Sequence, residues 1–270
     1  MNLFSMELRQ NLKTMVIWTA VSGALTLLLT LLYPAMLSSD MLALFNAKLV
    51  ALPKELVAMF NLSGEDIRQL PQFFAYFFQF VMMAACVYGA TLGLSVISRE
   101  ESDGTIEFLY AKPLRRTQIV TGKLLAAAVT FVIYFMGVAI GGVAGCLAVK
   151  PEALDMMTLL TAVKSVLAGG FIAGLAYMFV GLALSVLLRR PKHAASLASA
   201  LFFGTFIAGS VPRITGVLDF LKWLSPINYV MPGEVVMDGL NSGHVLILAA
   251  VMAAAGALTY IAYSRRDLIG

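Results

Sequence analysis

Six runs of apolar residues, at about 16–37, 73–97, 118–148, 158–188, 194–211 and 245–263, limit what this chain can fold into. Each reaches or approaches the roughly 20 residues a helix needs to cross about 30 Å of hydrocarbon, where every backbone polar group must be satisfied within the segment. With 60% hydrophobic and only 13% charged residues, and a mean hydropathy of +0.88, the chain lies far outside the soluble globular range. The expected fold is all-α and polytopic, with six transmembrane helices in a single domain over 1–270. The third and fourth runs exceed a simple crossing and are expected to tilt or protrude.

The first run differs from a secretory signal. Its apolar core is longer than the roughly 7–15 residues of such a segment, and Glu7 precedes it as well as Arg9 and Lys13. Before it, Phe4, Leu8 and Leu12 set an apolar stripe on a short helix over 2–14, which leaves Glu7, Arg9 and Lys13 to face water or headgroups as an interfacial elbow.

Six spans place the N-terminus, the 99–123 region, the 189–193 loop and the C-terminus on one side. That side holds 12 of the 19 basic residues and 6 of the 15 acidic ones, and the other side holds seven basic and nine acidic residues. The net +4 therefore divides as +6 and −2, and the positive side is expected to be cytoplasmic. Topology accounts for the basic balance without nucleic acid. Cys86 and Cys146 sit in apolar runs, at no spacing that suggests a metal site or a disulfide framework. The 15 methionines are scattered and read as flexible apolar packing.

Between the spans, residues 38–71 form a long external connection. Met41, Leu42, Leu44, Phe45 and Leu49, then Leu56, Val57, Met59 and Phe60, recur there at near-helical spacing around a break at Pro53. From 212 to 243, Leu218, Leu221, Trp223 and Leu224 precede Pro226 and Pro232. Two readings stay open for this zone: a partial or re-entrant element that plugs the outer end, or an external loop with an aromatic anchor. Small residues recur four apart at Gly89 and Gly93, at Gly137, Gly141 and Gly145, and at Gly170 and Gly174. That spacing favours close helix packing within the chain over a dimer seam.

The chemistry-bearing stretch is a charged island wedged between the second and third runs. It runs Arg99, Glu100, Glu101, Ser102, Asp103, Gly104, Thr105, Ile106, Glu107, Phe108, Leu109, then Tyr110, Lys112, Pro113, Leu114, Arg115, Arg116, and ends at Gly122 and Lys123. Ser98 and Glu101 have capping-box spacing, Gly104 permits a turn, and Ile106, Leu109 and Tyr110 share one face of a short helix that Pro113 stops. Such a helix, with an apolar face and acidic shoulders, suits docking to another protein. A loop that only enforces topology or touches anionic lipid would carry similar charges.

Taken in order, Arg99, Glu100, Gly104, Thr105, Ile106, Glu107, Leu109, Pro113, Leu114, Arg116, Ile119, Val120, Gly122 and Lys123 resemble the signature of ABC-2 type permeases, the membrane subunits of ATP-binding-cassette exporters. The likeness is dense over about 25 residues and mostly architectural elsewhere, and the chain is similar to the subgroup whose permease and ATPase are separate chains. It implies a coupling helix over 100–112 resting in a cleft of a cytosolic ATPase. Arg99, Glu100, Glu101, Gly104, Thr105, Ile106, Glu107, Phe108, Leu109, Tyr110, Lys112 and Pro113 would form that interface, with Ile106, Phe108, Leu109 and Tyr110 as apolar contacts. The resemblance also implies two permease copies as a homodimer, two ATPase subunits, surrounding membrane lipid, and the cytoplasmic membrane of a prokaryote with both termini inside.

No catalytic, cofactor or metal residue is expected in the chain itself. A P-loop needs a glycine where Thr117 stands and Ser or Thr where Leu124 follows Lys123, so ATP and magnesium would be bound by the partner. Apart from Lys164 near one end, the spans are lined by apolar residues, Gly, Ser, Thr and a few groups such as Tyr76, Gln79, Tyr88, Tyr134 and Tyr177. Ion carriers usually keep ionisable residues within the membrane, so the expected cargo is amphipathic or hydrophobic: a drug, an antimicrobial peptide or a lipid-like molecule. The alternatives of the same architecture are a sensing or force-transmitting subunit, a sodium transporter and a cofactor-maturation transporter.

Overall fold

A computed structural model of the protein describes residues 3–62, 66–102, 116–187 and 194–265. Among the described residues there is no strand. The chain forms α1 (Leu3–Leu31), the short helices α2 (Tyr33–Met36), α3 (Ser39–Ala51) and α4 (Lys54–Met59), and the long helices α5 (Leu70–Ser102), α6 (Arg116–Ala148) and α7 (Met156–Leu187). Then come α8 (Ala194–Thr215), two 3₁₀ segments at Asp219–Leu224 and Pro226–Val230, α9 (Pro232–Asp238) and α10 (Ser242–Arg265). Six stretches, beginning with Phe4–Met36, are long and apolar enough to cross a membrane. The chain is an all-α multi-pass membrane protein.

Two pairs of parallel helices organise the bundle, and glycine sets both. A Cβ on Gly23 of α1 would stand 3.1 Å from the Gly137 carbonyl oxygen of α6, and one on Gly145 would stand 2.8 Å from Thr30 Cβ. In the second pair, a Cβ on Gly181 of α7 would meet the Ala90 carbonyl of α5 at 2.6 Å, and one on Gly93 would meet the Leu182 nitrogen at 2.8 Å. Lipid tails are as apolar as leucine, so helices gain contact only by approaching closely, which these positions permit. The recurrent glycines thus serve packing within the chain, as their spacing suggests. Aromatic rings fill the space between the pairs: Phe131 of α6 lies over Gly174, Phe135 of α6 over Gly170, and Tyr88 and Tyr134 stand 4.6 Å apart. Cys86 and Cys146 are buried.

Residues 3–31 are one continuous helix, so the separate elbow expected over 2–14 is instead the first turns of the first span. The reason is local: no Gly or Pro stands before Gly23 to break it. The face it buries also reverses expectation. Glu7, Asn11, Ser22, Thr26 and Thr30 are buried, whereas Leu12, Val16, Ile17, Val21 and Leu28 are exposed. In a bilayer the outward surface is the apolar one, and polar groups turn to neighbouring helices. Thr26 and Thr30 close their own bonds to the carbonyls of Ser22 and Thr26, each at 2.7 Å.

Helices α2–α4 cross the end of the bundle opposite the N-terminus. Tyr33 donates its hydroxyl to the Arg68 carbonyl at 2.6 Å, Phe45 packs edge-on to Tyr76, and Phe60 reaches Phe206 of α8. Pro53 separates α3 from α4. At the same end Asp155 caps α7, accepting from the Thr158 amide at 2.9 Å and the Thr158 hydroxyl at 3.0 Å.

Candidate functional site

Glu7, Lys123 and Val96 come together where α1 begins, α5 ends and α6 begins. The Lys123 ammonium lies 2.9 Å from Glu7 Oε1 and donates to the Val96 carbonyl at 2.7 Å. Both charged residues are buried, Lys123 at 3% and Glu7 at 4% exposure, so little water screens the pair. Close by, the Thr121 and Tyr260 hydroxyls share a hydrogen bond of 2.7 Å, which brings the last turns of α10 to the same end. Lys123 sits seven residues into α6, about 10 Å from its start at Arg116. The segment 103–115 joins the two stems that this lysine holds together.

Arg99, Glu100 and Glu101 fall in the last turns of α5, which continues unbroken to Ser102; their side chains lie outside what is described. The capping-box spacing of Ser98 and Glu101 therefore marks no helix start. Buried Leu92, Leu94 and Val96 hold the preceding turns helical, and tertiary packing outweighs the local signal. Gly104, Thr105, Ile106, Glu107, Phe108, Leu109, Tyr110, Lys112 and Pro113 lie outside the described residues.

Glu7 is the participant that sequence reading missed. The stripe Phe4, Leu8, Leu12 suggested that Glu7 faces water; the structure instead turns Glu7 inward. The signal was present as Glu7 and Asn11 one turn apart, continued by Ser22, Thr26 and Thr30 on one face of an otherwise apolar helix. Arg9 and Lys13 are exposed.

Further into the bundle, Tyr76, Gln79, Tyr88, Tyr134 and Tyr177 are all buried between helices of one chain. Tyr88 stacks on Trp18 at 5.2 Å, and Tyr177 shares hydrogen bonds with Thr205 of α8 at 2.8 Å and Ser225 at 3.3 Å. Beyond Tyr177 the 212–243 zone folds back onto the bundle: Ser225, Ile227, Val230, Met231 and Val235 are buried, while Phe220, Trp223 and Leu224 are exposed. Asn228 holds it by donating to the carbonyls of Gly209 and Lys222, both at 3.0 Å. His244 Nδ1 lies 2.9 Å from the Tyr229 carbonyl, and burial pushes the Tyr229 phenol above its ordinary range.

This arrangement, six spans with a charged segment hung between the second and third, can be set beside known proteins. A family model described as ABC-2 family transporter protein matches residues 1–268. The chain belongs to that family. As an ABC-2 family transporter protein it is a membrane subunit of an ATP-binding-cassette transporter, of a kind that works with a partner ATPase and lacks an ATPase of its own. No match to a curated protein was found. In this ABC-2 protein the stems of the 103–115 segment are held by Lys123, and the first span joins them through Glu7.

Proposed function

We propose that the chain is the permease of an ATP-driven exporter, energised by a separate cytosolic ATPase that docks on residues 99–113. The observation that carries this reading is the buried Glu7–Lys123–Val96 junction between the two helices that flank that segment in sequence. A segment that passes force into a membrane domain needs stems that move together, and a charge-assisted hydrogen bond beside an ion pair in a dry site supplies that stiffness. Ile106, Phe108, Leu109 and Tyr110 make the apolar contact, with Glu100, Glu101 and Glu107 pairing to basic groups of the ATPase. The exposed Arg9 and Lys13 at this end support placing it in the cytoplasm.

Two copies of the permease and two of the ATPase complete the pump. The outward faces of α1, α8 and α10 are apolar and offer surface for lipid and for a second copy. A bundle interior that is mainly apolar, with scattered buried tyrosine, threonine and serine hydroxyls, supports an amphipathic or hydrophobic cargo.

The test is to purify the tagged chain from its native membranes in mild detergent, identify what accompanies it by mass spectrometry, and assay ATP hydrolysis. A stoichiometric nucleotide-binding subunit, lost on Leu109→Arg or Gly104→Val, is expected. A stable complex lacking any ATPase overturns the reading.

A further inference from the structure

Lys123 joins the two helix pairs at one point. Its own helix α6 is packed along α1, and its Val96 contact is on α5, which is packed along α7. At the opposite end the pairs are joined by Tyr33, whose ring packs on Phe73 and whose hydroxyl is fixed by Arg68. Midway they meet through rings such as Tyr88 and Tyr134. Ring contacts tolerate sliding, because dispersion is spread over many weakly directional contacts. The charge-assisted hydrogen bond of 2.7 Å to Val96 does not: a helix shift of roughly 1–2 Å takes it out of hydrogen-bond range.

Stability alone does not call for this pair. Replacing a buried ion pair with apolar side chains of similar volume is often neutral or favourable, and a lysine about 10 Å from a helix end can extend its stem toward water instead. We infer that Lys123 is a positioning residue: it latches the α1–α6 pair to the α5–α7 pair, and movement of the 103–115 segment under the ATPase acts by loading this latch, so that both pairs are drawn along. The inference rests on the docking reading proposed above and adds the step that follows docking. Glu7 anchors the ammonium from α1, so the first span moves with the stems.

The test uses the permease–ATPase complex in lipid nanodiscs and compares wild type, the neutral pair Glu7→Gln with Lys123→Met, and Lys123→Arg, which keeps a donor for the Val96 carbonyl and a cation for Glu7. All three are expected to capture the ATPase. The permease-dependent part of ATP hydrolysis should fall about fivefold or more in the neutral pair and be largely kept in Lys123→Arg. A neutral pair that hydrolyses like wild type overturns the latch, whereas a wild type that captures no ATPase overturns the docking reading. Should either variant fail to accumulate, hydrogen exchange of the wild-type complex decides. Peptides spanning 3–15, 92–102 and 116–127 should change protection between the nucleotide-free and ATP-bound states, and identical exchange in both overturns the latch.

Discussion

Tyr134 of α6 donates its hydroxyl to Ser22 of α1 across 3.2 Å, with both side chains buried. Ser22 adjoins Gly23 and Tyr134 lies about one turn before Gly137, so the bond reads out how closely these two helices approach. Ser22→Ala strands a buried phenol and should lower stability by about 1 kcal/mol, within the range of hydrogen bonds between membrane helices. Adding Tyr134→Phe should return part of that loss. A double-mutant cycle on unfolding in detergent measures the coupling, and strict additivity would dismiss the bond.

Glycine at the α5–α7 contact should be far less replaceable than glycine on a free face. Gly181→Ala drives a methyl against the Ala90 carbonyl and should cost on the order of 1–3 kcal/mol. A Cβ added at Gly204 of α8 would meet nothing within 4 Å, so Gly204→Ala should be neutral or add up to about 0.5–1 kcal/mol through helix propensity. Thermal unfolding of the two variants side by side is the check; equal midpoints would contradict the packing described.

Lys123→Met alone leaves Glu7 buried without its cation and should destabilise by about 3–5 kcal/mol. Lys123→Met with Glu7→Gln removes both charges and should cost clearly less. Chemical or thermal denaturation of the isolated permease distinguishes them. A double variant no better than the single would mean that Glu7 gains little from Lys123.

Asn228 supplies two bonds that hold the 212–243 zone on the bundle. Asn228→Ala should weaken that attachment by about 1–3 kcal/mol while the six spans stay folded. Limited proteolysis is the readout: faster cleavage within 212–243 is expected, and an unchanged rate counts against the role.

Hydrogen bonds from the Thr158 amide and hydroxyl hold the Asp155 carboxyl below the usual carboxylate range. A carboxyl whose folded-state pKa is lowered adds stability that is complete above its unfolded value, near pH 4, and is lost as pH falls through the folded value. The α7 start should therefore loosen below about pH 4. Melting curves from pH 6 to pH 3 should show a smaller acid loss for Asp155→Asn than for wild type; parallel curves would remove the cap from the account.

The six spans were legible because hydrocarbon admits only long apolar helices, and run length alone reveals them. The third to sixth spans begin within a few residues of their apolar runs for the same reason. Gly89, Gly93, Gly137 and Gly141 pointed to close packing, yet their partners, Gly174, Met178, Thr19 and Gly23, lie far off in sequence. Ser98 and Glu101 misled because a capping signal acts only where the chain is free to leave the helix, and buried Val96 and Leu94 deny it that freedom.

What the sequence determined by itself was the class, the spans and the charged segment between the second and third. These follow from composition and spacing, which solvent reads directly. What only the tertiary structure decided was which face of each span turns inward. Apolar stripes are ambiguous when lipid and protein interior are equally apolar, so Glu7 looked solvent-facing until α1 was seen packed on α5 and α6. The pairing of Glu7 with Lys123, 116 residues later, depends on that packing, because an ion pair forms between groups that the fold brings together in a dry site.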